Sequence, residues 1–233
     1  MTTVHGLNSV NAYSRVMTFG DRVITVGEPV RDHITGHYAF DQGKVSVIQR
    51  GVDLELFNPA RVDESFIESF RQKYHLDGKF VITSVGRITW LKDFETFIEA
   101  ISLLKERIPE AVGLIVGGAR EDKLGYLQEL KDLARGKGVA DRVIFAGSQT
   151  KVAEVYFLSD VLVNASLKMG NVGRTIVEAF ALDTPVIATT YEGLTDLVED
   201  GVNGYLIETR NPEDLADKIE QVYRGEFKDI RAN

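Results

Sequence analysis

"KFVITSVGRITWLKDFETFIEA", residues 79–100, decides the fold of this chain. Its opening "KFVITSVG" is a β-branched, near-continuous apolar run, the composition of a strand buried on both faces. Its closing part begins a helical spacing of apolar residues, Phe94, Phe97 and Ile98, that continues to Ile101 and Leu104. A buried strand that passes through one short loop into an amphipathic helix is the repeating half of a βαβ unit.

The same alternation extends outward in both directions. Strand-like runs fall at 22–27, 44–49, 111–118, 142–147, 160–166, 184–190 and 203–208. Helical spacing links Phe66, Phe70 and Tyr74, then Leu127, Leu130 and Leu133, and "PEDLADKIEQVY" (212–223) reads as a last helix. Continuous apolar strands alternating with helices predict an α/β fold, a doubly wound parallel sheet covered on both faces. We assign that domain to residues 64–233. Residues 1–48 hold about three strands and two helices, too little for a second complete unit, and read as a partial α/β unit. Between them "RGVDLELFNPARVD" has the Gly and Asn-Pro punctuation of a linker, over residues 49–63.

Bulk composition narrows the function. Of 233 residues 44% are hydrophobic, and the net charge of −8 argues against a nucleic-acid surface. With no cysteine there is no disulfide, thiolate zinc site or thiol nucleophile. No apolar run has the length of a membrane span, and the polar N-terminus lacks a signal-peptide pattern, so a cytoplasmic location is expected.

Open α/β sheets bind ligands where strand ends lead into helix starts, and three such loops carry chemistry. In "SVGRITWLKDF" (84–94), Arg87 and Lys92 follow a buried strand, five positions apart. A bidentate guanidinium and a mobile ammonium suit a diphosphate, although two solvated loop cations would give the same pattern. Trp90, the only tryptophan, reads as a loop anchor or packing residue. In "GNVGRTIVEAF" (170–180), a helix opening at Gly173 offers free amides and a positive dipole end, with Arg174 and Thr175 as further donors to an anion. Glu178, one and a half turns on, is placed to accept from ribose hydroxyls; without its neighbours it would pass for a solvated helix residue. In "IVGGAR" (115–120), Gly117 and Gly118 allow close backbone approach, a weaker signal, and the dinucleotide glycine fingerprint is missing. No Asp-x-Asp pair offers ligands for a divalent cation bridging phosphates, so no metal and no cofactor is expected. Asp53 and Glu55 in the linker read as solvated.

Taken in order and spacing, "RVITVGEPVRDHI", "VIQRGVDLELFNP", "SVGRITWLKDFETFIEA", "RVIFAGSQTKVAEVYFLSDVLVNAS", "GRTIVEAFALDTPVIATTYEGLTDLVEDGVNGYLI" and the last helix resemble the C-terminal half of a retaining GT-B glycosyltransferase. The resemblance is to the large group-1 family that includes sucrose and glycogen synthases. It implies transfer of a sugar from a nucleotide-diphosphate sugar to an acceptor, without a metal, in a setting such as polysaccharide or glycolipid synthesis. By the same resemblance Arg87 and Lys92 neutralise the donor diphosphate, and Gly173, Arg174 and Thr175 hold the same phosphates. Glu178 corresponds to the second Glu of the family's pair and binds ribose. Gly118 belongs to the donor site, the loop at Ser148 and Gln149 reads the base, and His5 stands beside the reacting sugar.

The chain departs from the pattern at Gly170, where the family has its first Glu, and more mildly at Asp196 in "EGLTD". Residues 1–48 resemble only the last third of the acceptor-side domain. The family's long closing helix has no counterpart before the chain ends at "EFKDIRAN". These departures imply a donor-binding part whose residues 1–48 are covered by an acceptor-domain chain or a second copy, with peripheral membrane contact open. They also leave open a non-catalytic relative serving as a binding or assembly module.

Overall fold

A computed structural model describes residues 1–49, 51–167, 173–190 and 197–226. Its larger sheet has six parallel strands: β4 (Phe80–Val85), β5 (Ala111–Val116), β6 (Val143–Gly147), β7 (Val161–Asn164), β8 (Val186–Thr189) and β9 (Gly204–Ile207). Their order across the sheet is β6-β5-β4-β7-β8-β9. The chain therefore winds outward from β4 in one direction, returns to the centre, and winds outward in the other. The reversal between β4 and β7 opens a crevice at their carboxyl ends, where ligands of doubly wound folds bind.

Alternation along the strands explains why both faces are covered. Val81, Leu162, Val186 and Ala188 point to one side, packing with Phe70 of α2 (Glu64–Tyr74), Val155 of α5 (Val152–Phe157) and Ile176 of α6 (Arg174–Phe180). Ile82, Val163 and Ile187 point to the other, against α3 (Phe94–Leu104), α4 (Leu124–Gly136) and α7 (Pro212–Tyr223). Because successive side chains of a strand face opposite ways, burial on both sides demands an uninterrupted apolar run. Helix starts are set by short polar side chains: Asp63 accepts from the Phe66 amide, and Asn211 from the Asp214 amide.

The N-terminal part forms its own three-stranded parallel sheet, β1 (Thr2–Val4), β2 (Val23–Thr25) and β3 (Val45–Val47), in that order. A small core of Val4, Val23, Val26, Val30, Ile34 and Tyr38 joins it to α1 (Glu28–His37). β1, only three residues long, has no legible alternation and is visible only in the structure. Where two helices were expected there is one, with 3-10 turns at Ser14–Thr18 and Gln42–Lys44. Leu7, Val10, Tyr13, Val16 and Phe19 are exposed, Tyr13 by 88%. Among the described residues no helix is long and apolar enough to cross a membrane.

Candidate functional site

Three loops meet at the carboxyl ends of β4, β5 and β7. The Gly86 amide donates to the Val116 carbonyl at 2.9 Å and the Ile88 amide to the Gly118 carbonyl at 3.0 Å, which lays the loop after β4 along the loop after β5. This contact requires glycine. At Gly117 φ is +148°, and a Cβ there would lie 1.8 Å from the Gly86 carbonyl oxygen. A Cβ on Gly118 would lie 2.6 Å from Ser148 Oγ, and one on Gly86 would lie 2.7 Å from the Lys92 side chain. The close approaches read from "IVGG" are thus made within the chain, between neighbouring loops.

Lys92 sits on the 3-10 turn Trp90–Lys92 and is half-buried, whereas Arg87 is exposed. The Lys92 ammonium donates to Ser166 Oγ at 3.2 Å. Burial first, and then the charge of Arg87, hold it below the ordinary lysine value. Among the described residues neither cation has a carboxylate partner. The two positive charges are close enough to oppose each other.

A polar chain runs from these cations to α6. Ser166 Oγ donates to Asn164 Oδ1 at 2.6 Å, and Asn164 Nδ2 donates to Thr175 Oγ1 at 3.2 Å. The Leu167 amide, donating to the Leu91 carbonyl at 2.9 Å, ties the same two loops through the backbone. Gly173, buried and left-handed at φ +53°, starts α6, whose first amides have no intrahelical acceptor. The structure thereby brings together Arg87, Lys92, Gly173, Arg174, Thr175 and Glu178 at the switch point.

Glu178 is a buried carboxylate, 6% exposed, with both oxygens in use. Oε1 accepts from Arg174 Nε at 2.6 Å and Oε2 from the Tyr156 hydroxyl at 3.0 Å. Arg174, expected to offer its guanidinium to an anion, here directs it to Glu178 one turn away, with 62% of its side chain exposed. A cavity of about 460 Å³ opens beside this group, lined by Val85, Thr150, Arg174, Thr175 and Glu178 and, from the linker, Leu56 and Phe57.

The remaining predicted residues are more dispersed. Ser148 is exposed after Gly147, and Gln149 folds back so that Nε2 donates to the Ala146 carbonyl at 2.6 Å. His5 follows β1 on the three-stranded sheet and is exposed. Trp90 is 51% exposed, so it is not a packing residue. Asp53 is not merely solvated, since its Oδ1 accepts from the Glu55 and Leu56 amides, and Glu55 pairs with Arg61. Gly170 and Asp196 lie outside the described residues. Sequence reading missed Tyr156, Asn164 and Ser166. The signal available was a hydroxyl or amide inside each of two apolar runs, "EVYFLSD" and "DVLVNAS", because buried polar groups need partners.

Residues 66–233 match the family described as glycosyl transferases group 1. Among curated relatives, the D-inositol 3-phosphate glycosyltransferase of Actinosynnema mirum is 35% identical over 215 residues, 89% of this chain and 50% of that protein. The chain spans about half the length of the curated relatives it matches. Among solved structures, a glycosyltransferase from Rickettsia africae superposes with a TM-score of 0.88 at 28% identity, over 98% of this chain and 61% of that one. Anabaena HepE, solved in complex with UDP and glucose, shares the fold with a TM-score of 0.86 at 24% identity, over 100% and 64% of the two chains.

Proposed function

The chain belongs to the glycosyl transferases of group 1, and from that premise we propose that the crevice between β4 and β7 binds a nucleoside-diphosphate sugar as glycosyl donor. The observation that carries the reading is the polar chain Lys92–Ser166–Asn164–Thr175, which joins Lys92 to the helix that bears Glu178, with Arg87 close enough to oppose the Lys92 charge and neither cation paired with a carboxylate among the described residues. Arg87 and Lys92 take the diphosphate, with the first amides of α6 and Thr175 beside them. Glu178 takes the ribose, and the loop of Ser148 and Gln149, next to Gly118, faces the base. UDP is the first nucleotide to try, since Anabaena HepE was solved with it.

In the proposed reaction the bond between the sugar's anomeric carbon and the diphosphate breaks, an acceptor hydroxyl oxygen forms the new bond with retention of configuration, and its proton passes to the leaving diphosphate. Negative charge grows on the leaving diphosphate. Fixed cations stabilise that charge more than the ground state, which is how Arg87 and Lys92 would lower the barrier without a metal. The three-stranded unit contributes His5 on the acceptor side. The exposed run Leu7, Val10, Tyr13, Val16 and Phe19 is covered by the rest of an acceptor-side domain or by a second copy of the chain. This chain alone then binds donor nucleotide better than it transfers sugar.

Calorimetric titration with UDP, GDP and ADP tests the donor site. One of the three is expected to bind, with binding abolished in the Arg87→Ala, Lys92→Ala double variant. Failure of all three to bind a folded chain would sink the reading and leave a binding module without a nucleotide site.

A further inference from the structure

A buried carboxylate must be fully partnered, and Glu178 is partnered unequally. The Arg174 guanidinium lies on a largely exposed side chain and can swing to another anion. Tyr156 cannot move. Its ring is wholly buried, 6.2 Å between centroids from Phe57 of the linker, and its carbonyl accepts from Thr184 Oγ1 at 2.9 Å. Burial, and then the charge of Glu178, push the phenol's ionisation well above its ordinary value, so the hydroxyl keeps its proton and donates it to Oε2.

That bond holds Oε2 in place, so the carboxylate keeps its orientation when Arg174 leaves Oε1. An ionised carboxylate offers about four acceptor positions. Tyr156 and Arg174 occupy two, and the group lines the cavity between α6 and the linker. Among the described residues the other two have no partner, and two is the number a ribose needs for its two hydroxyls.

We propose that Tyr156 is a positioning residue for nucleotide recognition, orienting Glu178 through Oε2 so that its free acceptor positions meet the 2′- and 3′-hydroxyls of a nucleoside diphosphate. The proposal rests on the donor-site reading above. It makes Tyr156 matter only for ligands that carry those hydroxyls.

The test is titration of UDP, GDP and ADP, each against its 2′,3′-dideoxy counterpart, with the unmodified chain and with Tyr156→Phe, which keeps the ring and removes the hydroxyl. For the diphosphate that binds, Tyr156→Phe is expected to weaken affinity by about fivefold, the scale of one hydrogen bond, and to leave the dideoxy counterpart unchanged. Equal weakening of both ligands, or of neither, would overturn the proposal and reduce Tyr156 to a packing residue. Thr184→Val, which removes the hydroxyl that holds the Tyr156 carbonyl and lies outside the cavity wall, is expected to show the same selectivity at about twofold. It decides the matter alone if Tyr156→Phe does not fold, with equal losses again overturning the proposal. If the unmodified chain binds none of the three diphosphates, the donor-site reading falls and takes this proposal with it.

Discussion

The two sides of the crevice are built on opposite principles. On the β4 side, Arg87 and Lys92 stand without a counter-ion among the described residues, one of them half-buried and each raising the energy of the other. On the α6 side, Glu178 is deeper and already oriented, with a donor on each oxygen. The difference matches what each would meet. A diphosphate brings its own charge, so cations waiting for it are best left unpaired. A ribose brings neutral hydroxyls, too weak to organise a carboxylate, so the protein has to orient the carboxylate beforehand.

The contrast breaks if the cations prove dispensable. Replacing both Arg87 and Lys92 with alanine is expected to lower nucleoside diphosphate affinity by about 100-fold or more, and to leave affinity for the uncharged nucleoside unchanged. A loss under about threefold would mean the diphosphate lies elsewhere.

Stability should respond with opposite signs on the two sides. Glu178→Ala removes the acceptor of a fully buried hydroxyl, and is expected to destabilise the chain by about 1–3 kcal/mol in urea unfolding. Lys92→Met removes a desolvated charge and keeps the length of the stem. It is expected to raise the unfolding midpoint by about 1–3 °C, because the charge it deletes is desolvated and stands beside Arg87. A Lys92→Met variant that unfolds earlier than the parent would show that its bond to Ser166 outweighs the repulsion from Arg87.

The smallest effect expected is on pH dependence. The free Lys92 ammonium is held below its ordinary value of 10.5, and a bound diphosphate favours the charged form, so its pKa is higher in the complex. Affinity is therefore greatest where Lys92 is charged without ligand, and falls severalfold as pH rises through the lowered value. In Lys92→Ala that alkaline decline should flatten, which titration at a series of pH values above neutrality would show.

Much of the fold was legible because its signals are local. "KFVITSVG" and "AVGLIVGG" are almost wholly apolar since both faces of each strand are covered, and the start of α7 is written in Asn211 and Pro212. Of the three strands expected in residues 1–48, β1 could not be placed, because three residues cannot display a period. In the site, Arg87, Lys92, Gly173, Thr175 and Glu178 could be picked out as residue types at strand ends. Their connection could not, because Ser166 and Asn164 sit inside a run that reads as strand, and Tyr156 inside one that reads as core.

The order of elements, the doubly wound fold and the cationic character of the loop after β4 were determined by the amino-acid sequence alone. These depend on composition and spacing within about twenty residues, which secondary structure and burial read directly. Only the tertiary structure decided that Gly117 makes room for Gly86 instead of a ligand, that Arg174 faces Glu178, and that Tyr156 holds the same carboxylate. Each of the three is a choice among partners that several donors or atoms could have satisfied. The Arg174 pair lies one turn apart on one helix, but for Gly117 and Tyr156 the choice is made by distances of a few ångströms between separate elements.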